Sequence, residues 1–146
     1  MDVRKAYNFD NLNESMEKPK KFIYSGQTKI LDKISRWIID DLPKGSEAYI
    51  FGSLANGKFG KYSECYNGHL GSDIDVMVFL NGANKPSTWK SLDVSKTWWD
   101  LYSGIEIKIN NNLHKTDIII IKEGMEEFAR KRVKDLGWKL IKLNPM

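Results

Sequence analysis

The sequence predicts an α/β chain, a mixed β-sheet of four to five strands with helices packed on it. Two observations predict the sheet. Ile74 to Leu80 is apolar at both parities, with Met77 and Phe79 on one face and Ile74, Val76, Val78 and Leu80 on the other. Ile118-Ile119-Ile120-Ile121 is apolar throughout. Strands apolar on both faces belong in the middle of a sheet, with helices above and below. A third observation predicts the helices: Ile30, Leu31, Ile34, Trp37, Ile38 and Leu42 recur at helical spacing, as do Met125, Phe128, Ala129, Val133 and Leu136.

The elements follow in order. Residues 1–24 are polar, rich in Asn and Lys, and read as an N-terminal arm, ordered in part through Tyr7, Phe9, Phe22 and Ile23. Residues 25–146 read as one domain. Its first helix is capped by Ser25 and ended by Pro43 and Gly45. Ala48 to Phe51, closed by Gly52, is a strand. Residues 54–72 read as a short helix at most, then a long loop. The strand from Ile74 follows, and Asn81 to Pro86 is a loop. Trp89, Leu92, Trp99 and Tyr102 suggest an aromatic-rich helix of imperfect period. Ile105, Ile107 and Ile109 alternate with Glu106 and Lys108 as a half-buried strand. Asn110-Asn111-Asn112 is a turn, and Asp117 opens the strand of isoleucines. Gly124 to Leu136 is a helix stopped by Gly137, and Trp138 to Leu143 is a last edge strand.

The totals fit one core. The chain has 146 residues, 41% hydrophobic and 29% charged. Its apolar stretches fall short of the ~18 residues that cross a bilayer. Met1 to Lys5 holds no apolar signal region, and a single cysteine, Cys65, rules out an intrachain disulfide. A reducing, cytoplasmic setting away from membranes is expected. The net charge of +4 is compatible with nucleotides or nucleic acid and assigns neither.

The chemistry lies in the carboxylates. Asp73 and Asp75 stand two apart, and the strand period of two points both to one face. Asp117 opens a second buried strand. If the three converge, each close pair repels by ~4 kcal/mol at ~4 Å and an effective dielectric of about 20. Bound divalent cations remove that repulsion, and oxygen-only ligands favour Mg²⁺ or Mn²⁺. Carboxylates shared between two such ions serve in-line phosphoryl transfer. Gly52-Ser53 supplies the complement. A glycine after a strand lets backbone approach a phosphate, Ser53 adds a hydroxyl, and a helix starting there would offer free N–H groups.

Together "FGSLANG", "GSDIDVMV" and "TDIIII" resemble the DNA polymerase beta superfamily of nucleotidyltransferases, especially its minimal members. The resemblance covers roughly residues 25–125 and implies the nucleotidyltransferase fold. It also implies two-metal transfer of a nucleoside monophosphate from an NTP, ATP by the habit of similar proteins, to an acceptor with release of pyrophosphate. It implies that Gly52 and Ser53 hold the triphosphate, that Asp73 and Asp75 bind both metals, and that Asp117 completes the second and helps activate the acceptor hydroxyl. Nineteen residues, 54–72, separate Ser53 from Asp73, more than the family's usual spacing. They read as a substrate loop or an insertion, with Lys58 and Lys61 able to meet phosphates. The acceptor is RNA, a protein or a small molecule.

A second reading is a binding or regulatory module, since similar minimal nucleotidyltransferases often act as the antitoxin of a pair whose partner is a helical ribonuclease; the main role is then complex formation, with or without nucleotidylation of that partner. A homo-oligomer is a further partner arrangement. A third reading is nucleotide binding without turnover, against which the intact carboxylates argue. Plainer roles stand beside the sharp ones. His69 reads as an exposed loop histidine, and His114 has no assigned role. Arg130-Lys131-Arg132 with Lys134 reads as a helix's wet face, Trp98-Trp99 as core, and Cys65 as inert.

Overall fold

The structure, a computed structural model, describes residues 19–66 and 68–143. The expectations for Tyr7 and Phe9 lie outside the described residues. Two helices and two sheets make up the described chain. A six-stranded sheet runs in the order β6-β7-β8-β5-β2-β9, where β2 is Glu47–Phe51, β5 Ile74–Phe79, β6 Lys90–Ser95, β7 Trp99–Ile109, β8 Asn112–Ile121 and β9 Ile141–Leu143. A three-stranded sheet runs β1-β3-β4, where β1 is Lys21–Ile23, β3 Gly60–Tyr66 and β4 His69–Gly71. The helices are α1, Gln27–Asp41, and α2, Glu126–Asp135.

The period-two reading of Ile74 to Leu80 places the core. Ile74, Val76 and Val78 of β5 pack with Ile118 and Ile120 of β8, and Ile34 and Ile38 of α1 cover that face. Met77, Phe79, Ile119 and Ile121 point the other way, against Ala129 and Val133 of α2 and against Trp98 and Trp99. β5 and β8 are therefore central, are parallel, and carry a helix on each face.

Several expectations are corrected. The main sheet is larger than four to five strands, and a second sheet exists. Residues 54–72 are not a helix and loop: after a turn at 52–57 they form β3 and β4, and β3 also pairs with β1 inside the presumed arm. Trp89 to Tyr102 is not a helix but β6 and the start of β7. The register between β7 and β8 slips by one residue between Ser103 and Glu106. That bulge flips the strand: Trp99 and Leu101 enter the α2-side core, while Ile107 and Ile109 enter the α1-side core. Ser25 does not cap α1. Gly26 holds the N-cap position at φ 72, and Gln27 instead ties the helix start to the Phe59 backbone through bonds of 2.9 and 3.0 Å. Phe128 is half exposed rather than inward.

Other expectations hold. Asn110 and Asn111 both take positive φ in a two-residue β7–β8 hairpin. Gly137, at φ 73, ends α2 with bonds from its own N–H to Lys134 O and from Trp138 N–H to Val133 O. Ile141–Leu143 is an edge strand, paired with β2. Among the described residues, no helix is long and apolar enough to cross a membrane.

Candidate functional site

The parallel register of β5 and β8 aligns Asp75 with Asp117. Adjacent strands lie about 4.8 Å apart, so two carboxylates leave neighbouring backbones side by side. They share the face of Met77 and Ile119, at the mouth of the α2-side core. Asp117 is only 3% exposed, whereas Asp75 is half-buried. Asp73 stands one residue before β5 and is also half-buried.

On the other side of β5, Phe51 pairs with Asp75, and the chain leaves β2 through Gly52. Gly52 sits at φ 75, and a Cβ built on it would come within 3.0 Å of Asp75 Oδ2. Only glycine fits there on both counts. Ser53 follows, half-buried. No helix starts after it: Gly52 O accepts from Asn56 N at 3.0 Å and Ser53 O from Lys58 N at 2.9 Å, which closes a turn and nothing longer. The expected helix N-terminus is thus absent. Gly52 is the residue of this turn that stands against Asp75. Lys58 is exposed at the end of the turn.

The residues between Ser53 and Asp73 build a wall against Asp73. Tyr66 and His69 pair across β3 and β4. His69 is not an exposed loop histidine: its side chain is 5% exposed, and its Nε2 lies 3.0 Å from Asp73 Oδ1. Tyr62 and Tyr66 meet edge to face at 4.9 Å. Burial pushes the Tyr62 phenol well up, and the charges of Asp73, Tyr66 and Asp75 add to it. Burial, then Asp73, raises Tyr66 too. Both phenols therefore sit within the field of the carboxylates and stay protonated.

The link into Asp73 is clamped. Ser72 N donates to Gly60 O at 2.9 Å, and Gly60 N donates to Ser72 Oγ at 3.1 Å. His114 Nδ1 lies 2.7 Å from Ser72 O, so that nitrogen carries the proton. Its Nε2 then accepts from Tyr24 Oη at 3.0 Å, and Asn112 Nδ2 donates to Tyr24 Oη at 3.1 Å. Burial lowers the His114 pKa, opposed by the Ser72 bond, assisted by His69 and opposed by Asp73. Tyr62, Tyr66, Ser72 and His114 were not expected at the site. The alternation of Tyr62, Glu64 and Tyr66 between glycines was the available signal, and it is faint.

The donor set fits a hard divalent cation such as Mg²⁺ or Mn²⁺. It offers carboxylate oxygens at the start of β5 and, because β8 begins at Asn112 rather than at Asp117 as expected, in the middle of β8, with glycine where a Cβ would crowd Asp75. Asp75 and Asp117 are the adjoining pair, and Asp73 stands two residues before Asp75. Among the described residues, no three His, Cys, Asp or Glu side chains already close into a metal-holding group, and Asp73 is engaged with His69. Asp73, Asp75 and Asp117 are the residues that would hold the ion. Compared with protein-family models, curated proteins and solved structures, the chain has no match.

Proposed function

We propose that the chain is a metal-dependent nucleotidyltransferase with the nucleotidyltransferase fold, moving a nucleoside monophosphate from an NTP, ATP first, to an acceptor. The observation that carries this reading is the in-register Asp75–Asp117 pair, with Asp73 two residues upstream and the Gly52 turn against Asp75. In the reaction the acceptor oxygen bonds to the α-phosphorus, the bond to the bridging oxygen breaks, and pyrophosphate leaves. The Gly52-Ser53 turn binds the phosphates through backbone and hydroxyl. Asp117, buried beside Asp75, receives the acceptor's proton. Divalent cations held by these carboxylates supply the positive charge that offsets the triphosphate.

The test is transfer of label from α-labelled NTPs to RNA, protein and small-molecule acceptors, with Mg²⁺ and with EDTA. Label appears in one acceptor class only with Mg²⁺, and Asp75→Asn abolishes it. Transfer by Asp75→Asn at the wild-type rate rules the reading out.

A further inference from the structure

Two segments that the fold brings together carry charge of one sign. Residues 19–26 and 52–63 hold four lysines, Lys20, Lys21, Lys58 and Lys61, and no carboxylate side chain. The pairing of β1 with β3 joins them: Lys21 opposes Tyr62, and Phe22 opposes Lys61. Directly opposed residues share a face, so lysines stand on both faces of this ribbon. Lys20 Nζ sits 5.4 Å from the centre of the Phe22 ring, and Lys21 Nζ 5.9 Å from that of Tyr62. Among the described residues β1 is an edge strand, and on it Phe22 and Ile23 are 47% and 53% exposed. The patch adjoins the carboxylates. Lys58 closes the Gly52 turn by donating its N–H to Ser53 O at 2.9 Å, and Gly52 stands against Asp75. Lys61 opposes Gly71, two residues before Asp73. From β1 to β4 is two strand spacings, about 10 Å.

Lysine on an edge strand hinders pairing with a further sheet, so a second copy of this chain is a poor occupant of β1. Lys58 and Lys61 lie off that edge, and edge protection does not account for them. Clustered ammonium groups around an exposed aromatic ring suit a polyanion that carries flat bases: its phosphates meet the lysines, and a base stacks on the ring. We propose that β1, with the lysines of β3 and of the Gly52 turn, binds a single strand of nucleic acid, stacks one base on Phe22, and leads the strand's end to the carboxylates as the acceptor. The acceptor role rests on the nucleotidyltransferase reading, whereas the binding does not.

The experiment is fluorescence anisotropy of a labelled single-stranded RNA of about 12 nucleotides, and of the matching duplex, with the full chain in EDTA at about 50 to 200 mM salt. EDTA separates binding at the patch from binding through catalytic cations. The expected slope of log K against log salt for the single strand is about −3, from four lysines at about −0.7 each, and falls to about −1.4 when Lys20→Gln and Lys61→Gln are combined. Phe22→Ala weakens binding about 5-fold or more at an unchanged slope, since it removes the stack and no charge. Lys131→Gln with Lys134→Gln, on α2, changes neither. If Phe22→Ala does not fold, Phe22→Leu, apolar but without a ring, takes its part. No binding by the wild type at about 50 mM salt overturns the proposal and leaves the nucleotidyltransferase reading with protein and small-molecule acceptors. Unchanged affinity in the Phe22 variant, a duplex bound as tightly, or an equal loss in the α2 variant also overturns it, because any basic surface would then do. Binding as expected, without transfer of label from α-labelled NTPs to the same RNA in Mg²⁺, overturns the acceptor role alone.

Discussion

Replacing Gly52 by alanine perturbs the site through one methyl group, and the structure gives the size of the effect. Gly52 sits at φ 75, where an L side chain costs ~1–2 kcal/mol. The new Cβ would also fall within 3.0 Å of Asp75 Oδ2 and 3.3 Å from its Cγ. The first of these is more than 0.5 Å inside the ~3.5 Å of ordinary carbon contact. The carboxylate must swing aside, which adds ~1–2 kcal/mol as overpacking. The total is ~2–4 kcal/mol, a fall in Tm of about 4–16 °C for a chain of this size. Asp75→Ala removes Oδ2 and Cγ but keeps the Cβ, which stands at an ordinary 3.5 Å. In that background Gly52→Ala should cost only the backbone part, ~1–2 kcal/mol. Urea and thermal denaturation of the four proteins form a double-mutant cycle with an expected coupling of ~1–2 kcal/mol. Coupling within ~0.5 kcal/mol of zero would refute the apposition of Gly52 and Asp75.

Other outcomes follow from neighbouring geometry. Gly71→Ala should cost ~3 kcal/mol or more, because its Cβ would press on Leu113 O and the His114 ring, which are fixed, while Gly57→Ala, with open space around it at φ +71, should cost only ~1–2 kcal/mol; urea midpoints compare the two. Metal-free Asp75→Asn should melt no lower than wild type, since it removes one of two adjoining charges, and should lose any Mg²⁺-dependent rise in Tm. His114, with its pKa below 6.5 in the folded chain, should make stability fall on acidification. Between the folded value and about 6.5 the unfolded chain binds more protons than the folded one, so stability rises with pH there, by at most ~1.4 kcal/mol per pH unit for one group. It is fully present above about 6.5. Melts from pH 5 to 7.5 should show a shallower slope in His114→Gln.

The central strands were legible because burial on both faces leaves an unmistakable run of apolar residues, as in Ile118 to Ile121. The helices were legible because Ile34 and Ile38, and Ala129 and Val133, fall one turn apart. Asp73, Asp75 and Asp117 were legible because ionised groups beside such apolar runs have no packing role, although β8 starts at Asn112 and carries Asp117 in its middle. The parallel alignment of Asp75 with Asp117 was not, since register between distant strands depends on tertiary pairing. The bulge after Ser103 swaps the faces of β7, so Trp99 and Ile107, alike in sequence parity, enter opposite cores, which parity alone does not reveal. The β3–β4 hairpin was hidden by its polar outer face, where Ser63, Glu64 and Cys65 are exposed between buried Tyr62 and Tyr66. His69 drew a loop reading for the same reason. Its burial comes from a hairpin that local patterning scarcely signals.

The central claim is a nucleotide site built on Asp73, Asp75 and Asp117. Its most direct test is calorimetric titration of the purified chain with a non-hydrolysable ATP analogue, in Mg²⁺ and again in EDTA, for the wild type and Asp75→Asn. The account predicts binding by the wild type in Mg²⁺ alone and its loss in the variant. Binding that survives EDTA and Asp75→Asn unchanged would contradict it.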